Sequence, residues 1–74
     1  MRTRFHAYGA PSRREQEILD LMAQGFRDKE IADRLGICPS SVATYIRRGM
    51  GKLGARSRAH AVKLLYDLHV LAPL

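Results

Sequence analysis

Two apolar stripes at helical spacing, parted by a glycine and a proline, constrain this chain more than anything else in it. Ile31, Ala32 and Leu35 end the first stripe, Gly36 breaks that helix, and Pro39-Ser40-Ser41 starts another. Val42, Ile46, Met50 and Leu53 carry the second stripe. The interval runs only from Gly36 to Cys38, so the two helices must cross steeply rather than lie antiparallel. Ala32 is small enough for the crossing point, Gly36 suits a left-handed turn position, and β-branched Val42 locks the second helix onto the first. The pattern is a helix-turn-helix. What it does depends on what the second helix leaves facing outward.

At 74 residues the chain holds one domain, near the size where a single core supplies only a few kcal/mol. Its lone cysteine, Cys38, excludes an internal disulfide, and no Cys/His cluster has metal-ligand spacing. Neither a metal nor another cofactor is expected, and self-association is the expected extra support. The net charge is +6 and the isoelectric point about 10.3. No acid stands between Asp33 and Asp67, where Arg34, Arg47, Arg48, Lys52, Arg56, Arg58 and Lys63 all fall. A basic half segregated in this way suggests a polyanion, nucleic acid being the commonest; the alternative is a merely solvated basic face. No apolar run is long enough to span a membrane and no signal-peptide core opens the chain, so a cytoplasmic place is expected.

In chain order, residues 1–10, with two arginines, Phe5, His6 and Tyr8, read as a flexible basic arm, and 11–74 as the domain. Ser12 and Glu15 form a capping box for a first helix that buries Ile18, Leu19, Leu21 and Met22 and stops at Gly25, with Phe26 tucked beside it. Asp28 is the expected cap of the second helix, on which Lys29 and Asp33 can pair. The third runs from Pro39 to Leu53 and is ended by Gly54, with Cys38 at its cap as a partly buried small residue. Gly49 and Gly51 cost it helix propensity, and a close approach by another helix or a local bend would account for Gly49. Ser57 caps a fourth helix reaching about Leu68. There Ala59, Val62, Leu65 and Tyr66 form one apolar set, widened by Ala61, Leu64 and Leu68. So broad a stripe exceeds one small core, and Ala61, Leu64, Leu65 and Leu68 are the expected dimer surface. Val70, Leu71 and Leu74 form an apolar tail for the core or that interface.

With the second stripe turned inward, the third helix exposes Ser40, Ala43, Thr44, Arg47, Arg48 and Gly51. An α-helix fits the DNA major groove. Thr44 can meet a thymine methyl or a phosphate, and Arg47, one turn later, can pair bidentately with guanine. Ser40, Ser41 and Tyr45 offer hydroxyls near a helix N-terminus that attracts anions. Arg48, Lys52 and Arg56 are candidate clamps on the DNA backbone.

At this point the chain resembles the LuxR/GerE-type helix-turn-helix of bacterial transcription regulators, over about Ser12 to Val62. The resemblance rests on Ser-Arg-Arg-Glu-Gln-Glu-Ile-Leu (12–19), Gln24-Gly25, Lys29-Glu30-Ile31-Ala32 and Arg34-Leu35-Gly36-Ile37. It continues through Ser41-Val42, Lys52-Leu53-Gly54-Ala55-Arg56-Ser57-Arg58-Ala59 and Ala61-Val62. It implies an all-α, four-helix domain with the third helix as recognition helix and a dimer joined through the fourth. By position it implies that Ala43, Thr44 and Arg47 face bases and that Lys29, Ser41, Tyr45 and Lys52 lie near phosphates. The implied partners are double-stranded DNA, a second copy or another LuxR-type regulator, and RNA polymerase. The chain departs from the family pattern at Pro11 (usually leucine), Arg27 (a Ser/Thr cap), Cys38 (a capping serine), Ala43 (often lysine) and Gly49 (a larger apolar residue). With only a short arm ahead of the module, it resembles the stand-alone members.

Other readings are weaker. Gly49-Met50-Gly51-Lys52-Leu53-Gly54 matches G-x-G-x-x-G, but a helix precedes it where a dinucleotide site needs a strand. His6, His60 and His69 are too scattered for catalysis, and no Ser/His/Asp set or carboxylate pair suggests an enzyme. Region 4 of sigma factors shares the helix-turn-helix, but the stretch from Lys52 to Val62 favours the LuxR type. The rival of a different class is a protein-interaction module that pairs with a LuxR-type regulator through Ala61, Leu64 and Leu68 and silences it.

Overall fold

The computed structural model describes residues 10–67, which form four helices and, among those residues, no strand: α1 (Arg13–Ala23), α2 (Asp28–Leu35), α3 (Pro39–Leu53) and α4 (Arg58–Asp67). The expected arm, apart from Ala10, and the expected contributions of Leu68, Val70, Leu71 and Leu74 lie outside the described residues.

Local chemistry sets the helix ends. At α1 the capping box forms: Ser12 Oγ accepts the Glu15 N–H at 3.1 Å, and Glu15 Oε1 accepts the Ser12 N–H at 2.8 Å. α2 starts one residue earlier than its acidic residue suggests. Arg27 is the cap, and Asp28 is the first helical residue. An arginine side chain has no acceptor to offer, so only half a box survives, the Glu30 carboxylate taking the Arg27 N–H at 2.8 Å. Cys38 caps α3 without a side-chain hydrogen bond and is exposed, not partly buried as expected. At α4, Ser57 Oγ accepts the His60 N–H at 3.0 Å, while His60 Nδ1 accepts the Arg56 N–H at 3.0 Å.

Gly36 (φ 69°) and Gly54 (φ 73°) end α2 and α3 in the left-handed conformation. After each, the next N–H reaches back to a helix carbonyl, Ile37 to Ala32 at 3.0 Å and Ala55 to Met50 at 2.9 Å. These are Schellman closures, which satisfy end carbonyls and turn the chain within one residue.

One core joins all four helices: Ile18, Leu19 and Met22 from α1, Ile31 and Ala32 from α2, Val42, Ile46 and Leu53 from α3, and Ala61, Leu64 and Leu65 from α4. The inward stripe of α3 is Val42, Ile46, Gly49 and Leu53, with Met50 only half-buried. Of the two explanations for Gly49, close approach is the one observed. A Cβ there would stand 2.8 Å from Leu19 Cδ1 and 3.2 Å from its Cγ, whereas one at Gly51 would meet nothing within 4 Å. Leu21, Phe26 and Leu35 are half-buried at the core's edge, with the Arg34 guanidinium 4.3 Å from the Phe26 ring centroid. The Lys29–Asp33 pair is not among the ion pairs of the described residues.

The dimer surface expected on α4 needs correction. Ala61, Leu64 and Leu65 are 0%, 8% and 0% exposed and pack into this chain's own core. The outward residues are Ala59, Lys63 and Tyr66, with Val62 half-buried between them. Both sets have helical spacing, and Ala61, Leu64 and Leu65 are the set that meets α1 and α3.

The two interior glycines of α3 should respond oppositely to alanine. Gly51→Ala should stabilise the domain by up to about 1 kcal/mol through helix propensity. Gly49→Ala should destabilise it by about 1 kcal/mol, because crowding against a fully buried Leu19 exceeds the same propensity gain. Urea denaturation of both variants checks this, and equal stabilisation would mean that Leu19 yields its space freely.

Candidate nucleic-acid interface

With Val42, Ile46, Gly49 and Leu53 inward, the helical period turns Ser40, Arg47, Arg48 and Gly51 into solvent and leaves Ala43 and Thr44 half-buried beside them. No acid occurs in α3. Arg47 and Arg48 are exposed, and among the described residues no carboxylate pairs with either of them or with Arg56. Ala43 and Gly51 flank Arg47 by one turn on each side, so the guanidinium stands between two small residues.

Two shallow hollows lie along this helix. One, of about 260 Å³, is lined by Ser40, Ser41, Thr44, Tyr45 and Arg48. It brings four hydroxyls and a guanidinium together over the first turns of α3, where unpaired backbone N–H groups and the helix dipole also favour an anion. The Thr44 hydroxyl donates to the Ser40 carbonyl at 3.1 Å, which leaves its lone pairs and its methyl group for a ligand. Tyr45 is half-buried against the core, so its ring is anchored. The second hollow, of about 360 Å³ on another side of the helix, is lined by Ala43, Ile46, Arg47, Met50, Gly51, Ala55 and Arg58. Lys29 is exposed on α2. The base-facing candidates and Ser40, Ser41, Tyr45 and Arg48 thus share one helix, while Arg56 is exposed in the turn beyond it.

Lys52 is differently placed. Its Nζ lies 2.9 Å from Glu15 Oε1, and the Glu15 side chain is only 6% exposed. Burial pushes the Glu15 carboxyl up, but the hydrogen bonds from Lys52 and Ser12 and the Lys52 charge outweigh it and hold the group below its ordinary value. Lys52 therefore serves as a strut from the last turn of α3 to the first turn of α1. Arg58 is also taken: its two terminal nitrogens lie 2.8 and 3.0 Å from the two oxygens of Asp28. Hydrogen bonding to Arg58 holds the Asp28 carboxyl below its usual range, against a smaller opposing effect of burial. Sequence reasoning recognised Glu15 as a cap but not as the partner of a lysine 37 positions away. The one signal for it was an acid at the inward edge of an apolar stripe.

Comparison with known proteins places this geometry. The model of the luxR family of bacterial regulatory proteins (GerE) matches residues 12–65. Spore germination protein GerE of Bacillus subtilis is 39% identical over 51 residues, which cover 69% of this chain and 69% of that protein. The uncharacterized transcriptional regulatory protein YxjL of Bacillus subtilis is 39% identical over 51 residues, 69% of this chain but 23% of its own length. Oxygen regulatory protein NreC of Staphylococcus aureus is 40% identical over 52 residues, 70% of this chain and 24% of its own. The chain thus spans about a quarter of these two longer relatives. No solved structure gives a significant match.

The strut makes a pH-dependent prediction. Glu15 has a depressed folded pKa, so its contribution is present above the ordinary carboxylate pKa and is lost as pH falls through the folded value. Lys52→Ala should cost about 1–2 kcal/mol at pH 7, between the exposed-pair and buried-pair limits. The penalty should shrink as pH falls below the ordinary carboxylate range, as Glu15 takes up its proton and needs no cation. Denaturation of both proteins over an acid pH series checks this, and a penalty that does not change with pH would deny Lys52 the role.

Proposed function

Since the chain belongs to the luxR family of bacterial regulatory proteins, we propose that it is a sequence-specific transcription regulator that lays α3 in the major groove of double-stranded DNA. The observation that carries this reading is the acid-free outward face of α3, with Arg47 and Arg48 exposed and, among the described residues, unpaired. In this reading Arg47 pairs with guanine, the Thr44 methyl meets a thymine, and Ala43 allows the backbone to approach the base edges. Ser40, Ser41, Tyr45 and Arg48 hold one phosphate in the hollow they line, with Arg56 and Lys29 on neighbouring phosphates. Lys52 supports α3 from behind. The regulator works in the cytoplasm, at the nucleoid.

The same reading makes the active species a dimer on a palindromic site with half-sites about one helical turn apart. The surface that supports it is the outward side of α4, where Tyr66 is 45% exposed beside Ala59 and Val62. The rival reading, a silencing module that pairs through Ala61, Leu64 and Leu68, has no such support at Ala61 and Leu64, both of which are buried.

Selection from random duplexes, followed by fluorescence anisotropy over a salt series, tests the proposal. A palindrome should be recovered. On it Arg47→Ala should cost about 1–3 kcal/mol and less on scrambled DNA. Arg48→Ala should weaken both alike and reduce the salt slope by about 1. Equal losses on both duplexes for Arg47→Ala would refute its base-reading role.

A further inference from the structure

Arg58 stands at the start of α4, yet it lines the same hollow as Ala43, Arg47 and Gly51 on the outward face of α3. Its side chain is 50% exposed. A guanidinium at that rim is well placed for a DNA phosphate, and its planar fork fits a phosphate as well as a carboxylate. In this structure both prongs are engaged by Asp28, the first residue of α2. Both partners sit at the ends of packed helices, so the pair is held in register by the fold rather than by a chance meeting of two long side chains.

We propose that Asp28 limits the affinity of this chain for DNA by withholding Arg58 from phosphate. The inference rests on α3 being the DNA-reading helix. The salt dependence of affinity counts the phosphates that cations neutralise, and an Arg58 held by Asp28 neutralises none. Should a phosphate displace the carboxylate, Asp28 would be left unpaired beside the DNA, so the exchange gains nothing in charge. Lys52 is the contrast: its partner Glu15 is 4% exposed. Asp28, with its side chain 28% exposed, reaches the recognition face only through Arg58.

Asp28→Asn keeps a side-chain oxygen for Arg58 and removes only the charge. Anisotropy titrations of the whole chain over a salt series should show it binding several-fold tighter on preferred and scrambled duplex alike. Its log–log salt slope should be steeper by about 0.9. Arg58→Ala alone should leave the slope unchanged, and Asp28→Asn with Arg58→Ala should return to the wild-type slope. Three results would overturn the inference: an unchanged slope in Asp28→Asn, a steepening that survives in the double variant, or a slope flattened by about one in Arg58→Ala. The last needs no folded Asp28 variant. Wild-type chain that binds no duplex would overturn the proposed function and this inference together, whereas tight wild-type binding with any of those three results overturns the inference alone.

Discussion

α3 lies against α1 at a point where a glycine meets a leucine. A Cβ at Gly49 would stand 2.8 Å from Leu19 Cδ1, and Leu19 has no exposed surface into which it could retreat. The contact does more than save space. Placing positions 42, 46, 49 and 53 inward fixes the rotation of α3 about its own axis, and so decides that 47 and 51 face solvent with 43 half-buried beside them. A larger residue at 49 would press the helix away or roll it, and the outward residues would move with it. Loss of helix propensity at one position, up to about 1 kcal/mol, is the cost of that placement.

The charges are organised around the same frame. A net charge of +6 suggests a uniformly basic second half, but two of its cations are paired with acids from the first half. Lys52 ties the end of α3 to the start of α1, and Arg58 ties the start of α4 to the start of α2. Each pair joins segments far apart in the chain. An exposed pair such as Arg58–Asp28 contributes at most about 1 kcal/mol to stability, so its larger effect is on the charge offered to a partner. Among the described residues, what α3 and the turn after it leave unpaired is Arg47, Arg48 and Arg56.

Much of this was legible in the residues because it is local. The Ser12–Glu15 box, the left-handed Gly36 and Gly54, and Pro39 at the first turn of α3 act within a few residues, and the helices stop and start where those signals lie. The outward face of α3 was legible too, since Val42, Ile46 and Leu53 leave little choice of phase. Phase failed where two sets compete. Gly49 and Met50 both fit the stripe, and side-chain volume argued for methionine, while the available space belonged to Leu19. On α4, residues 59, 62 and 66 and residues 61, 64 and 65 are equally good helical faces. Only the positions of α1 and α3 choose between them. The partners of Lys52 and Arg58 were hidden for the same reason, because residues 37 and 30 positions apart meet only after folding. For α2, the acid stands one residue past the cap position, so a cap rule cannot reveal Asp28 as the partner of Arg58.

The division of α3 into an anchored side and an open side has an evolutionary consequence. Gly51 has nothing near it, and Arg47 has solvent around it. Substitutions at 47 and 51 therefore leave the core almost untouched, and selection can vary them without first searching for compensating changes elsewhere. Duplicated copies of such a chain could diverge in preference through a handful of outward residues while keeping one shared scaffold. A laboratory library randomised at those positions would start from molecules that nearly all fold.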